Sequence, residues 1–404
     1  MILYSVCTFP TSQISYFCCI NLVMKIRIAF SVTNCICHDQ RVLKIAEAIA
    51  QPGIDITIIG KRSGKCCETG SVPFRTKRFR MIFKKGFLFY KFFNIRLLFH
   101  LLFNKYDLFV ANDLDTLLPN FIASELKGGL LVYDSHEYFK GVPEIQNRPF
   151  VKWVWTAVEK IVFPHLKNVM TVSDSIAEQY EKEYGLKPVT VRNCSGSAEN
   201  IDDVLRDEMG FDKESLLLIF QGGGINIDRG GEELIEAIKL TEKVNLLIVG
   251  SGDVLPLLKE KVRKLNLTEQ VHFFPKMPWK EMMRFTKTCD IGLTLDKDTN
   301  LNYRFSLPNK LFDYINAGIP VIASDLPEVA KIIEQNRCGI VIPSVTPENI
   351  SKAIKTLRDN RKLLEELKRN TVLASGWLNW ENEALKVEDF YRPVIAKIAG
   401  SGKG

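Results

Sequence analysis

The sequence predicts an α/β protein built from two tandem, doubly wound domains that face an interdomain cleft. Short apolar runs rich in β-branched residues alternate with longer amphipathic stretches, which is typical of parallel strands joined by crossover helices. The alternation lapses once, in a polar and acidic stretch from 193 to 213, and then restarts. A chain of 404 residues also suits two domains of ordinary size.

The first half of the chain contains six strand candidates and four helix candidates. The strands are predicted at 26–31, 54–59, 108–111, 130–133, 169–172 and 189–191. The helices are predicted at 40–50, 114–127, 151–163 and 175–184. Ser173 and Asp174 are good N-cap residues for the last of these helices.

The second half repeats the pattern after the polar linker. Its strands are predicted at 216–221, 245–249, 271–274, 291–295, 320–323 and 339–342. Its helices are predicted at 232–240, 254–265, 279–286, 310–317 and 329–335, followed by helices near 347–358, 361–374 and 381–399. In open parallel sheets, ligands bind beyond the carboxyl ends of the strands, so the cleft between the domains is the expected site.

The predicted domains are 24–197 and 212–378, with a terminal helix at 379–399. Residues 1–23 lack the basic start and the cleavage site of a signal peptide, so we expect a non-structural extension before Met24. Hydrophobic residues make up 46% of the chain and charged residues 25%, which excludes collagen-like and disordered classes. The ten cysteines lack zinc-site spacing, and thiols in a reducing cytosol are expected.

A basic, aromatic-rich segment begins near residue 75. Six cations precede a run of phenylalanines and leucines that Lys91, Arg96 and His100 interrupt, so we predict a helix lying on a membrane surface rather than a bilayer span. The residues expected to meet anionic lipid are Arg78, Arg80, Lys84, Lys85, Phe87 and Phe92. The alternative is a buried helix after a charged loop. Nucleic-acid binding is not expected, because no recognised binding motif accompanies the charge.

The segment from 306 to 325 is the strongest functional signal. Pro308 suits the first turn of a helix, Gly318 suits its end, and a buried strand follows. Lys310 and Asp313 are three residues apart and so share one helical face. A lysine beside a helix N-terminus can meet a phosphate, and a carboxylate one turn later can meet a ribose. The alternative is a surface ion pair between the two side chains.

Two further segments follow strand ends. Gly222, Gly223 and Gly224 join a strand to a helix and allow a ligand to approach the backbone, while Arg229 can grip a phosphate. This loop matches neither a dinucleotide-binding fingerprint nor a P-loop. In the first domain, His136 follows an apolar strand and could bond a sugar hydroxyl or a phosphate. The alternative is a capped turn with a structural histidine.

Together these residues resemble glycosyltransferase family 4, the retaining enzymes of GT-B fold with two Rossmann-like domains. The resemblance covers the chain from Met24 to about Tyr391 and rests on DQRV at 39–42, YDSHEYF at 133–139, Arg229-Gly230 and SLPNKLFDYINAGIPVIAS at 306–324. It implies that the first domain binds the acceptor, the second binds a nucleotide-diphosphate sugar, and the last helix crosses back to the first domain.

The resemblance also implies roles for individual residues. Arg229 and Lys310 would contact the donor diphosphate, His136 would face the donor sugar, and Asp313 would take the second acidic position of a Glu-x7-Glu motif that binds the ribose. Other predicted donor contacts are Leu307, Pro308, Asn309 and the loop residues Pro275 and Lys276 beside the base. Asp113 and Glu137 are predicted on the acceptor side.

The sequence departs from the family pattern at two places. The first acidic position falls on Phe305, and glycines stand where many members carry a basic residue. The predicted function is a metal-independent hexosyltransferase acting in cell-surface polysaccharide or glycolipid synthesis at the cytoplasmic face of the cell membrane, with a glycan or lipid-linked acceptor. We interpret the DKD at 296–298 as loop charge, so no cofactor is expected. The alternatives are a degenerate sugar-nucleotide-binding protein and a nucleotide-sugar 2-epimerase.

Overall fold

The computed structural model describes residues 25–62, 72–146, 148–204, 206, 209–212 and 215–401. These residues form two parallel sheets with helices on both faces, as the sequence predicts. The predicted extension at 1–23 lies outside the described residues.

The first sheet has seven strands in the order β3-β2-β1-β4-β5-β6-β7. The strands are β1 Ile26–Ser31, β2 Ile54–Lys61, β3 Arg75–Phe79, β4 Leu108–Asn112, β5 Leu130–Ser135, β6 Asn168–Thr171 and β7 Val189–Thr190. The helices are α1 Gln40–Ala48, α2 Gly86–Phe103, α3 Leu114–Lys127, α4 Pro143–Gln146, α5 Pro149–Val162 and α6 Asp174–Tyr184. Strand β3 was not predicted; its basic sequence, which the alternative interpretation took as a charged loop, is well suited to a sheet edge.

The second sheet has six strands in the order β10-β9-β8-β11-β12-β13. The strands are β8 Leu216–Gly222, β9 Val244–Gly250, β10 Val271–Pro275, β11 Ile291–Thr294, β12 Val321–Ser324 and β13 Gly339–Ile342. The helices are α7 Gly231–Lys239, α8 Leu255–Lys264, α9 Trp279–Thr288, α10 Leu301–Phe305, α11 Asn309–Asn316, α12 Pro327–Asn336, α13 Pro347–Asp359, α14 Arg361–Ser375 and α15 Trp380–Ser401. Every described strand pairing is parallel, so in each sheet the strands end at one edge.

The final helix α15 belongs to the second half of the sequence but packs on the first sheet. Its side chains Val387, Tyr391 and Val394 are buried in the same apolar cluster as Ile28 and Phe30 of β1. Burial of these apolar side chains fastens the end of the chain to the first domain.

Two of the cysteines are oxidised, contrary to the prediction of free thiols. Cys35 and Cys37 are each disulfide-bonded, whereas free thiols were expected. Cys194, Cys289 and Cys338 are free thiols in the core. Burial raises the pKa of the Cys194 thiol, which makes that thiol a poor nucleophile.

Candidate active site

A cavity of about 330 Å³ lies between the two domains, at the edge where the strands of both sheets end. Its first-domain wall includes His136, Glu137, Val172 and Ile176. Its second-domain wall comprises Phe220 to Ile225, Arg229, Asn302, Tyr303 and Ser306 to Lys310. The chain therefore brings together segments that are more than a hundred residues apart.

The glycine loop leaves β8 and forms one side of this cavity. Gly222 hydrogen-bonds through its carbonyl to the backbone N–H of Ser251, which ties the loop to the neighbouring strand end. A Cβ placed on Gly223 would meet no atom within 4 Å, so that backbone is open to a ligand. Gly230 has a φ of 78° and lies against Leu295, so only glycine fits there before α7.

Arg229 and Lys310, the two predicted diphosphate contacts, lie side by side on the cavity wall. Both reach the buried carboxylate of Asp296, with Arg229 Nη1 at 2.6 Å from Oδ2 and Lys310 Nζ at 3.4 Å from Oδ1. Burial lowers the pKa of Lys310, and the nearby Asp296 opposes that shift. Asp296 is therefore part of the site, which corrects its interpretation as loop charge.

The aromatic rings of Tyr303 and Phe220 back these cations. The Arg229 guanidinium carbon lies 4.1 Å from the centroid of the Tyr303 ring, and Lys310 Nζ lies 4.9 Å from the centroid of the Phe220 ring. Such cation–π contacts stabilise a partly desolvated charge and restrict its position. Leu307, Pro308 and Asn309 line the wall beside Lys310, at the start of α11.

Asp313 does not lie on the cavity wall. It is 6% exposed, and its two carboxylate oxygens accept hydrogen bonds from Gln221 Nε2 at 3.0 Å and Trp279 Nε1 at 2.9 Å. Burial raises the pKa of Asp313. The Asp313 carboxylate orients the side chain of Gln221, which does line the cavity. The predicted contact between Asp313 and the ribose remains a proposal.

Pro275 and Lys276 lie at the exposed end of β10, outside the cavity wall. The indole of Trp279, held by Asp313, follows them at the start of α9. The sequence placed the base-binding loop in this region, and the structure adds Trp279 as a fixed aromatic side chain beside it. The base contact of this loop remains a proposal.

His136 is held between two carboxylates. Its Nδ1 lies 3.2 Å from Asp113 Oδ2, its Nε2 lies 3.1 Å from Asp134 Oδ2, and its backbone N–H donates to Asp113 at 2.8 Å. Burial alone would lower the pKa of His136, but the two aspartates raise it to about 10. His136 is therefore an imidazolium whose orientation is fixed, and both ring nitrogens face carboxylates rather than the cavity.

Burial raises the pKa of Asp113 to about 7, although the charge of His136 opposes the shift. Asp134, by contrast, is paired with Arg41 through two hydrogen bonds of 2.9 and 2.7 Å. That ion pair outweighs burial and holds the pKa of Asp134 well below its usual range. Behind His136 on the first-domain wall there is thus one firmly ionised carboxylate, Asp134, and one that titrates near neutrality, Asp113.

Phe305, at the first acidic position of the family motif, is directed away from the donor side. Its ring packs in the apolar cluster of the first domain, 6.1 Å from Tyr138, and its carbonyl accepts a hydrogen bond from Ser173 Oγ at 2.8 Å. In the same helix α10, Asn302 Nδ2 donates to Glu137 Oε2 at 3.0 Å. Helix α10 therefore links the two domains beside the cavity.

Sequence reasoning missed four of these groups: Asp296, Gln221, Asn302 and Tyr303. Gln221 lies near the end of buried strand β8, and Asp296 follows buried strand β11. Their position at carboxyl ends of strands is the one sequence signal that could have identified them as site residues. Asn302 and Tyr303 belong to a five-residue helix, too short to give a periodic pattern.

Two doubly wound domains that face each other across a cleft are the arrangement of the GT-B fold. Two family models match the chain, Glycosyltransferase Family 4 over residues 39–194 and Glycosyl transferases group 1 over residues 202–372. The chain belongs to glycosyltransferase family 4, which confirms the resemblance.

Curated relatives match parts of the chain. A chitobiosyldiphosphodolichol beta-mannosyltransferase of Candida albicans is 23% identical over 251 residues, covering 57% of this chain and 54% of the relative. A protein of the same name in Dictyostelium discoideum is 21% identical over 170 residues, covering 39% of this chain and 34% of the relative. The chain spans about half the length of the curated relatives it matches, or less.

Solved structures match nearly the whole chain at low identity. A sucrose-phosphate synthase of Thermosynechococcus elongatus superposes with a TM-score of 0.75 and 16% identity, covering 92% of this chain and all of that one. Anabaena HepE, solved with UDP and glucose, superposes with a TM-score of 0.72 and 14% identity over 91% of this chain and all of that one. At these identities the similarity shows the GT-B fold alone.

Proposed function

We propose that this chain is a retaining hexosyltransferase, working without a metal, that moves a sugar from a nucleotide-diphosphate donor to a glycan or lipid-linked acceptor. The observation that carries the proposal is the pairing of Arg229 and Lys310, from two separate elements, on the wall of the interdomain cavity. The open backbone at Gly223 leaves space for the diphosphate beside them. Helix α11 adds the partial positive charge of its N-terminus.

The proposed reaction breaks the bond between the sugar C1 and the diphosphate oxygen. Negative charge grows on that oxygen, and positive charge grows on the sugar ring as the bond lengthens. Fixed positive groups aimed at the leaving oxygen stabilise this state more than they stabilise the bound donor. Arg229 and Lys310 supply that charge, and in a retaining reaction the departing phosphate takes the proton of the acceptor hydroxyl.

The first-domain wall is suited to a hydroxylated acceptor. Glu137 lines the cavity, and Asp113 lies behind it as a hydrogen-bond acceptor for His136. Carboxylate oxygens accept hydrogen bonds from sugar hydroxyls. In this proposal His136, which lines the same wall, lies beside the donor sugar with its imidazolium held by Asp113 and Asp134. The names of the curated relatives include a lipid-diphosphate-linked sugar, which supports a lipid-linked acceptor for this chain as well.

A membrane surface is the proposed location, on the cytoplasmic face. Within the described residues, α2 is the helix long and apolar enough to span a membrane by length and composition, and most of it lies outside the protein core. Its Phe87 and Phe92 are exposed, and so are Lys84, Lys85 and Arg80 nearby. Arg78 instead directs its guanidinium to Cys37 Sγ at 3.8 Å.

Helix α5 extends this surface, which the sequence did not predict. Phe87 contacts Phe150 with ring centroids 6.3 Å apart, and Phe150 stacks on Trp153 at 6.0 Å. Phe150 and Trp153 are 62% and 66% exposed. Exposed aromatic side chains ringed by lysines are typical of surfaces that rest in the headgroup region of anionic membranes. The proposed membrane surface therefore combines α2 and α5.

The direct test of the donor site is binding and turnover in charge-removal variants. Stabilisation by UDP, GDP and ADP is measured by thermal unfolding, and release of nucleoside diphosphate is measured with a membrane extract as the acceptor. We expect Arg229→Ala and Lys310→Ala each to lose roughly 10²–10³ in turnover while remaining folded. Lys352→Ala, which removes an exposed lysine of α13, serves as the control.

The outcomes separate the candidate functions. Near-native turnover in Arg229→Ala and Lys310→Ala would refute the assignment of the site. Nucleotide binding with no nucleoside diphosphate release would favour a non-catalytic sugar-nucleotide-binding protein, for which Phe305 at a usually acidic position is the supporting observation. The anomeric configuration of the product, determined by NMR, tests retention: a product inverted relative to the donor would overturn retention and leave transfer intact.

A further inference from the structure

One buried carboxylate joins the two cations of the proposed donor site. Asp296 lies two residues beyond β11, and its side chain is 2% exposed. One of its oxygens is 2.6 Å from Arg229, which comes from the loop before α7, and the other is 3.4 Å from Lys310 of α11. A bridge of this kind fixes the separation of two flexible side chains that come from different parts of the chain.

The carboxylate lies behind the cations rather than among the wall residues of the cavity described above. Arg229 and Lys310 line that cavity, while Asp296 does not. Tyr303 and Phe220 present their ring faces to the two cations. Each cation is thus held by a ring and by the shared carboxylate, and the three charges sum to one positive charge directed at the cavity.

We propose that Asp296 is a positioning residue for the donor diphosphate, holding Arg229 and Lys310 side by side and keeping Lys310 charged. The proposal rests on the proposed function, because it assumes that the cavity takes a diphosphate. It goes further by assigning a role to an acidic residue on the far side of the cations, where a carboxylate would otherwise only repel the ligand.

The physical reason is the cost of placing two like charges together in a buried site. Burial lowers the pKa of Lys310, Asp296 raises it, and the nearby charge of Arg229 lowers it. Asp296 and Arg229 are the charged groups that act on Lys310, and Tyr303 is the titratable group against Arg229. Without the carboxylate, the ammonium would lose its proton at a lower pH, and anion binding would weaken with it.

The test is the pH dependence of pyrophosphate binding, measured by titration calorimetry from pH 6 to pH 10. The wild-type protein should bind less tightly at alkaline pH as Lys310 loses its proton. In Asp296→Asn this loss should begin at a lower pH, and for each unit by which its midpoint falls, binding above both midpoints should be about tenfold weaker than in the wild-type protein. The matched control is Asp298→Asn, which removes an equal charge from a half-exposed side chain 3.6 Å from Arg304.

The variant Lys310→Arg tests the proposal independently if Asp296→Asn does not fold. A guanidinium stays protonated throughout this range, so the alkaline loss should disappear in Lys310→Arg and in the double variant with Asp296→Asn. Equal pH profiles for Asp296→Asn and Asp298→Asn would overturn the proposal, as would an alkaline loss unchanged by Lys310→Arg. A wild-type protein that binds no pyrophosphate at any pH would overturn the proposed donor site as well.

Discussion

The variant Phe305→Glu, which restores the first acidic residue of the family motif, should lower the stability of the folded protein without increasing its affinity for the nucleotide. Most of the Phe305 side chain is buried against the first domain, and its ring centroid lies 6.1 Å from that of Tyr138. Burial of most of a phenylalanine contributes about 1–2 kcal/mol, and the aromatic pair adds about 0.5–1.5 kcal/mol. The glutamate should therefore lower the free energy of unfolding by about 2 kcal/mol.

The assay combines urea denaturation with calorimetric titration of the nucleoside diphosphate that stabilises the wild-type protein. Phe305→Leu is the control, because leucine keeps most of the apolar contact and should cost less than about 1 kcal/mol. The nucleotide affinity of Phe305→Glu should not exceed that of the wild-type protein, since the side chain at this position is directed to the first domain. A tenfold gain in affinity with unchanged stability would refute this placement of Phe305.

Three more outcomes follow from buried or exposed side chains. Burial raises the pKa of Asp115 to about 7, so ionisation of this group lowers the stability of the folded protein as the pH rises from about 4 to 7. The variant Asp115→Asn should abolish that decline. At pH 8 its free energy of unfolding, measured by urea denaturation, should be about 2–4 kcal/mol higher than that of the wild-type protein. Trp279→Phe removes a hydrogen bond to Asp313 and should cost about 1–3 kcal/mol in the same assay. Lys84→Glu and Trp153→Ser should each reduce co-sedimentation with vesicles containing phosphatidylglycerol, and the effect of Lys84→Glu should shrink at high salt.

Controls for these variants come from the same chain. Lys352→Glu reverses an exposed charge on the second domain, away from α2 and α5, and should leave vesicle binding unchanged. Vesicle binding that survives both Lys84→Glu and Trp153→Ser would exclude the proposed membrane surface. A pH profile of Asp115→Asn that overlays the wild-type profile would contradict the titration of Asp115, and an unchanged stability of Trp279→Phe would show that Asp313 finds another donor.

The sequence alone was sufficient to predict the strands and helices whose apolar residues recur with a clear strand or helix period. Strand β8, the glycine loop and helix α7 follow from an apolar run, three glycines and an amphipathic stretch. Helix α11 follows in the same way, with Pro308 before its first turn and Gly318 just past its end. Edge strand β3 and the short helix α10 escaped detection, because a charged edge strand shows no apolar period and five residues cannot show a helical one.

Local pattern thus determined the α/β class, the two-domain organisation, Arg229 after a strand end and Lys310 at a helix start, while the resemblance of the motifs identified the family and its GT-B fold. Only the tertiary structure decided that both cations meet on Asp296, which is 67 residues from Arg229 in the chain. It likewise buried Asp313, turned Phe305 towards the first domain and joined α5 to the aromatic surface of α2. These outcomes depend on how distant elements pack, and side-chain directions between packed elements are not encoded in the periodicity of any one segment.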